Sequence, residues 1–455
     1  MSNDRKPNIL FILADDHGYG DISANNGPGV QTPHIDSIAA DGIRFNRFYA
    51  NSTVCSPSRA ALLTGRYPDR VGVPGVIRQS EEDSWGYFDP KAITLPDMLR
   101  RVGYETIHIG KWHLGLEDEN HPCERGFDQF HGFIDDMMDD YWTHRRFGKN
   151  GMRHNYDVID PEGHATELFT EWAIDRIRNR READKPFFMY LAYNAPHTPI
   201  QPPEAWVARV KAREPGLDEK RTIYNALVEH LDDGVGRVLA ALDKSGLAED
   251  TIIVYTSDNG GWLPAGACND PFRGGKCDMY EGGIRVPCFV RWPGHIRACS
   301  ESDQVAMLMD FFPTFCEIAG VGIDHEIEGR SILPLLLGEG LDFSDRVYYW
   351  VRREGWFQKH NYVGNDYHAI RKGSMKLLHN DAFAPLELFD LADDEREATD
   401  LMQTNHPDLN ELCRLMQAHI RVAGAIPWQK ARQDPTPESK NTIGRRQNKP
   451  GAGEA

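Results

Sequence analysis

Four short apolar runs, each broken off at once by polar residues with glycine or proline, constrain this chain more than any other feature. They are Asn8 to Ala14 before Asp15 and Asp16, Thr106 to Ile109 before Gly110, Lys111, Trp112 and His113, Phe187 to Tyr193 before Asn194 and His197, and Thr251 to Ser257 before Asp258 and Asn259. The first, third and fourth do not alternate apolar with polar residues along their length, which is the pattern of strands covered on both faces. Helical stretches lie between them: Thr32 and Pro33 open one that Gly42 closes, Leu95 and Pro96 start one ending near Gly103, and Glu167 to Arg180 and Tyr224 to Leu242 carry apolar residues at helical spacing. This alternation predicts an α/β fold, a large mostly parallel sheet flanked by helices. In such sheets ligands gather beyond the carboxyl ends of the strands, where these Asp, Lys, His and Asn residues fall.

From about Ser344 the texture changes. Short strand-like pieces at Tyr348 to Val351, Ala369 to Arg371, Lys376 to Leu378 and Leu386 to Phe389, then a helix from Pro407 to Val422, predict a smaller C-terminal antiparallel sheet with one helix. The expected division is a catalytic α/β domain over 1–343, a small α+β subdomain over 344–430 and a loose polar tail over 431–455. The 455 residues, 40% of them hydrophobic, suffice for one large domain and a small one.

A balance of 51 Lys plus Arg against 69 Asp plus Glu, net −18, repels nucleic acid and anionic lipid at long range. No run approaches the roughly 18 apolar residues of a membrane helix. Neither nucleic acid nor membrane is expected as a partner. The apolar run Ile9 to Ala14 is too short for a signal peptide core and has no small-residue cleavage site, so the sequence reads as cytoplasmic, or as periplasmic or secreted if a presequence has been removed. Eight cysteines without a C-x-x-C pair suggest neither a disulfide scaffold nor a zinc site.

The most informative stretch is Cys55-Ser56-Pro57-Ser58-Arg59, running on through Leu63-Thr64-Gly65-Arg66. Ser56 can cap a helix with Pro57 in its first position and Gly65 at its end, which sets Cys55 just before a helix N-terminus. A buried structural cysteine fits that place; so does a nucleophile, which the helix would hold in its anionic form. Asp15 with Asp16, and Asp258 with Asn259, serve either as turn and cap residues or as four oxygen ligands for a hard cation such as Ca²⁺ or Mg²⁺. Lys111 and His113 point the same way if the chain stays extended there. His197 sits between Pro196 and Pro199 in a tight turn.

The stretch resembles the sulfatase family, whose signature is C-x-P-x-R followed by a Leu-Thr-Gly helix end. Gly110-Lys111-Trp112-His113-Leu114-Gly115 resembles a second signature of that family, and Phe272 to Lys276 with Tyr280 to Pro287 a third. The resemblance extends from Pro7 to about Trp428. It implies that Cys55 is oxidised to formylglycine by a maturation enzyme, and that Ca²⁺, with Mg²⁺ as the alternative, is held by Asp15, Asp16, Asp258, Asn259 and an oxygen of the modified residue. The hydrated aldehyde of such enzymes attacks sulfur, expels the alcohol, and then releases sulfate through its second hydroxyl. By the same resemblance Arg59 and Lys111 belong to the catalytic set, Lys111 bridges nucleophile and sulfate, His113 takes the diol proton, His197 protonates the leaving alcohol, and Lys276 binds sulfate.

The implied function is hydrolysis of sulfate monoesters, small anionic substrates on a sugar or aryl alcohol, at a local positive well made by Arg59, Lys111, Lys276 and the cation. Two other readings are a phosphonate or phosphate ester hydrolase with the same nucleophile, and an unmodified protein that only binds sulfated ligands. Cys277 departs from the family, which often has glycine beside the lysine, and Cys268 places a second thiol nearby. Asp135 to Trp142 and the aromatic region Trp350 to Tyr362 match no signature and are read either as walls of the leaving-group pocket or as surface loops.

Overall fold

The computed structural model describes residues 6–79, 84–180, 185–358, 361–381 and 384–428. Its centre is a ten-stranded sheet in the order Ser300–Ser302, Ile43–Phe45, Cys288–Arg291, Thr251–Ser257, Asn8–Ala14, Phe187–Ala192, Glu105–Lys111, Gln129–Phe133, Met152–His154, Asp157–Val158. The five strands from Thr251–Ser257 to Gln129–Phe133 run parallel, and antiparallel strands join at either side. The unbroken apolar runs are explained by the two cores. Ile9, Phe11 and Leu13 pack on one face with Phe311, Phe315, Leu62 and Leu99, while Leu10 and Ile12 pack on the other with Phe169, Ile177, Leu227 and Leu231.

The helices of these cores are Cys55–Thr64, Leu95–Arg101 and Phe311–Ala319 on the first face, and Pro33–Ala40, Ala165–Arg178 and Glu219–Lys244 on the second. Thr94 caps its helix with Asp97 in a reciprocal box, as the Thr-Leu-Pro-Asp order allows. The parallel pairing brings the strand ends level: Ala14 lies opposite Ser257, Leu13 opposite Ala192, and Ala192 opposite Gly110. Gly110 has φ +102°, and a Cβ there would stand 1.9 Å from the Ala192 carbonyl oxygen, so only glycine carries the strand into Lys111.

The second sheet is antiparallel, Val347–Gln358, Asn361–Lys372, Met375–His379, Glu387–Asp390, with the helix Leu409–Val422 packed on it. Its first two strands are longer than the expected pieces, because Arg352, Glu354 and Asp366 carry the ladder on through charged residues that give no apolar signal. Tyr348, Trp350, Ala369 and Leu378 of this sheet share a core with Tyr49, Ala61, Met279 and Met307. No helix of the described residues is long and apolar enough to cross a membrane. The tail 431–455 lies outside the described residues.

Candidate active site

Every strand end named by the sequence delivers its side chain to one edge. Asp15 and Asp16 leave their strand in a sharp turn, with Asp16 at φ +65° and its amide donating to Asp258 Oδ1 at 3.2 Å. The turn after Asn259 is as tight, since a Cβ on Gly260 would lie 1.8 Å from the Gly282 carbonyl oxygen. Cys55 is the first residue of the helix Cys55–Thr64, and its Sγ stands 3.2 Å from Asp15 Oδ1 and 3.9 Å from Asp16 Oδ1. The expected cap by Ser56 is not made. Val54 takes the cap position, because Ser56 Oγ accepts instead from the Ile77 amide at 3.1 Å, tying a neighbouring loop to the helix start.

One turn along the helix, Arg59 donates to Asp258 Oδ2 through Nε at 3.0 Å and Nη2 at 2.7 Å, and to the Lys111 carbonyl at 3.1 Å. Lys111 Nζ lies 2.6 Å from Asp15 Oδ2, and Lys276 Nζ lies 2.7 Å from Asp16 Oδ2 and 3.7 Å from Cys55 Sγ. His113 is not extended as the alternation implied but turns at φ +60°; the turn brings its Nε2 2.9 Å from the Ile77 carbonyl and its ring to the cavity. His197 donates from Nδ1 to the Thr198 carbonyl at 2.6 Å and sets Nε2 3.6 Å from Asp16 Oδ2.

Electrostatics correct one expectation. The Cys55 thiol is not held as an anion: burial pushes it well above the usual thiol range, and the Asp15 charge adds to this against the pull of Lys111 and Lys276. The unmodified sulfur is therefore a poor nucleophile, whatever the helix N-terminus contributes. Arg59, Lys111 and Lys276 face the carboxylates of Asp258, Asp15 and Asp16 one for one, so the net positive charge of the expected well rests on the cation. Burial would raise Asp15, but Lys111, His197, Arg59 and Lys276 outweigh it and hold the carboxyl well below its usual value. Burial and the Asp15 charge push Asp258 up to about 7 against Arg59 and Lys111. His113 is held well below its usual value by burial, then by Lys111 and Arg59, and is a neutral imidazole.

The donor set fits a hard divalent cation. Ligand atoms of Asp15, Asp16, Cys55 and His197 lie within 4.8 Å of one another, all buried. Asn259 points its Nδ2 to Asp16 Oδ1 at 2.8 Å, while its own Oδ1 is buried without a partner. A buried amide oxygen left without a partner, on a side chain bonded to the Asp16 carboxylate, costs stability unless something electropositive meets it. Asp258 Oδ1 also adjoins the cluster through the Asp16 amide, although its other oxygen is engaged by Arg59. Carboxylate and amide oxygens suit Ca²⁺ or Mg²⁺.

A cavity of about 370 Å³ opens from Cys55, His113, His197 and Lys276. Its walls include Arg78, Asp136, Trp262, Cys277, Arg352, Glu354 and Tyr367. Asp136 and Met137 thus belong to a pocket wall. In the second unassigned region Trp350 is buried, Arg352 and Glu354 reach the cavity, and the side chains of 355–362 lie outside the described residues. Cys277 lines the cavity; Cys268 does not, and sits instead with its Sγ against Gly20. Sequence reasoning missed Arg78, Trp262 and Tyr367, and did not single out Arg352 and Glu354 within the region Trp350 to Tyr362. The available signal was the alternation Tyr348, Trp350, Arg352, Glu354, in which the inward face of a strand turns from aromatic to charged.

With this geometry in place, comparison with known proteins gives a consistent answer. Residues 7–321 match the Sulfatase family model, and residues 275–423 match the model described as N-sulphoglucosamine sulphohydrolase, C-terminal. The chain is 35% identical over 366 residues to N-acetylgalactosamine-6-sulfatase of Sus scrofa, covering 75% of this chain and 68% of that one. It is 33% identical over 382 residues to human (Homo sapiens) arylsulfatase A, covering 76% and 71%. The crystal structure of Ps i-CgsB in complex with k-i-k-neocarrahexaose superposes with a TM-score of 0.82 at 31% identity, over 91% of this chain and 93% of that one. The chain belongs to the formylglycine-dependent sulfatase family. It is a sulfate-ester hydrolase, and its buried Asp15, Asp16, Cys55 and His197 are the divalent-cation and formylglycine arrangement of that family.

Proposed function

We propose that this sulfatase acts on a sulfated sugar, removing sulfate from one saccharide residue seated in the cavity above Cys55. The observation that carries the reading is the wall of that cavity: Trp262 and Tyr367 offer aromatic faces, and Arg78 and Asp136 offer charged groups, within about 370 Å³. An aryl sulfate needs an apolar slot, whereas a sugar needs this mixture of ring faces and charge. Sus scrofa N-acetylgalactosamine-6-sulfatase and the oligosaccharide-bound Ps i-CgsB support the same reading.

Asp15, Asp16, Asp258 and Asn259 would hold the cation, with Asn259 presenting its free Oδ1. When present, the cation supplies positive charge to sulfate oxygens, and the hydrated aldehyde at position 55 supplies the attacking oxygen and a second hydroxyl for sulfate release. Cys55 Sγ marks the place of an oxygen of that hydrate. Lys276 Nζ lies 3.7 Å from that sulfur and Lys111 is bonded to the neighbouring Asp15; both would bind the sulfate, their charge developing its full effect in a buried site. Arg59 pins Asp258 and the Lys111 carbonyl. His113 has its Nε2 proton committed to the Ile77 carbonyl, which leaves the Nδ1 lone pair buried and free of partners. That neutral nitrogen would take the hydroxyl proton during sulfate release. His197, fixed through Nδ1, would present Nε2 to the leaving oxygen.

The test is a panel of sulfated hexosamines and hexoses, a matched aryl sulfate and a matched aryl phosphonate, run on matured enzyme with and without a chelator. Sugar sulfates should give the highest kcat/KM, and the chelator should abolish turnover. Preference for the phosphonate would overturn the sulfate assignment, and preference for the aryl sulfate would overturn the sugar.

A further inference from the structure

Alternate residues of the strand Val347–Gln358 reach across to segments that adjoin a separate two-stranded pair, Phe48–Tyr49 and Ala306–Met307. Tyr348 donates its hydroxyl to the Val305 carbonyl at 3.0 Å, and Trp350 donates Nε1 to the Ala50 carbonyl at 2.8 Å. Beyond these the face changes character. Arg352 donates Nη1 to the Cys277 carbonyl at 2.9 Å and Nη2 to Glu354 Oε2 at 2.7 Å, and Glu354 Oε1 accepts from the Val76 amide at 3.3 Å. Both side chains are nine-tenths buried. Burying an ion pair costs desolvation that apolar docking, as at Trp350, avoids. The pair therefore calls for a reason beyond attachment of the second sheet.

That reason lies in what its two ends hold. Cys277 follows Lys276, adopts φ +83°, and donates its amide to the Thr53 carbonyl at 3.0 Å, two residues before Cys55. Val76 precedes Ile77, whose carbonyl orients His113 and whose amide bonds Ser56. A single buried ion pair thus ties the segment that aims Lys276 to the segment that aims His113, across the mouth of the cavity.

We infer that Arg352 and Glu354 are positioning residues, a strut from the small sheet that sets Lys276 and His113 against the nucleophile. The inference rests on sulfatase turnover but not on the identity of the sugar. Misplacing catalytic groups by about 1 Å costs on the order of a hundredfold in rate.

The experiment compares wild type with Arg352→Met, Arg352→Lys and Glu354→Gln on a sugar sulfate and an activated aryl sulfate, with Tm measured alongside. Arg352→Met and Glu354→Gln are expected to lower kcat at least tenfold on both substrates by the same factor. Arg352→Lys, which keeps the charge and one of the two hydrogen bonds, is expected to recover part of that loss. Peptide-resolved alkylation supplies a readout independent of turnover: Cys277 should label several-fold faster in Arg352→Met, with Cys268 unchanged. A raised KM on the sugar alone, with aryl sulfate turnover intact, would make the pair a sugar reader and overturn the proposal. A lowered Tm with unchanged kcat and unchanged Cys277 labelling would make it merely structural and overturn it equally. Failure of wild type to turn over either sulfate would count against the functional reading, and the Cys277 labelling would still decide the strut.

Discussion

Lys376 offers the sharpest test of how the two sheets are held together. Its Nζ lies 2.9 Å from Glu281 Oε1 and 2.8 Å from Glu397 Oε1, with all three side chains fully buried. Glu281 stands in the short helix Glu281–Ile284 after Lys276, and its other oxygen accepts from Tyr49 at 2.6 Å; Glu397 Oε2 accepts from the Glu281 amide at 2.6 Å. Burial would raise Glu281, but Lys376 and Arg285 bring it down to about 2. Burial raises Glu397 to about 7, with the Glu281 charge adding to the effect against Lys376. Lys376→Met removes the shared cation and leaves two like charges in one dry pocket.

Breaking a buried pair in this way costs about 3–5 kcal/mol. For a chain of this length 1 kcal/mol moves Tm by roughly 1–2 °C, so the variant should melt roughly 3–10 °C below wild type at pH 8. The sign with pH follows from the two carboxyls. Glu281, depressed on folding, stabilises above its unfolded value near 4.5 and loses that contribution as pH falls toward 2. Glu397, raised on folding, stabilises below 4.5 and loses that contribution as pH rises through 7. Without Lys376 both folded values rise, so the deficit should be largest at pH 8 and shrink toward pH 5 as the pair takes up a proton. Glu397→Gln in the Lys376→Met background should recover most of the loss at pH 8. Scanning fluorimetry of the single and double variants at both pH values reads this directly. A Lys376→Met protein as stable as wild type, or one with its larger deficit at pH 5, would refute the reasoning.

Three further outcomes follow from the site. Asn259→Leu, which removes the orphaned oxygen at similar volume, should lower bound metal at least tenfold by elemental analysis and lower kcat/KM with it. His113→Gln should reduce kcat by about 10²–10⁴-fold and let a sulfated form of the enzyme accumulate, visible in the intact mass, because the proton acceptor for sulfate release is gone. Cys55→Ala should abolish turnover while leaving the fold intact, and in active wild-type enzyme the peptide Phe48 to Arg59 should have lost its sulfur; a thiol there at full activity would remove the aldehyde from the mechanism.

The large sheet was legible because its strands are buried on both faces, so local composition alone marks Asn8–Ala14, Phe187–Ala192 and Thr251–Ser257. Gln129–Phe133, Gln-Phe-His-Gly-Phe, was not, since it lies nearer the edge and carries polar residues on one face. The longer C-terminal strands were partly hidden for the same reason: charged residues that find partners only across the fold give no local signal.

What the sequence by itself determined about this protein is the set of reacting groups and the class of chemistry, because a modifiable cysteine, a run of carboxylates at strand ends and the lysine and histidine motifs are contiguous patterns. Only the tertiary structure decided how those groups are charged and aimed. The pairing of three cations with three carboxylates, the buried lone oxygen of Asn259, the neutral tautomer of His113 and the strut from Arg352 to Glu354 all join residues far apart in the chain. Their energies depend on burial and on distances of a few ångströms, which no linear spacing encodes.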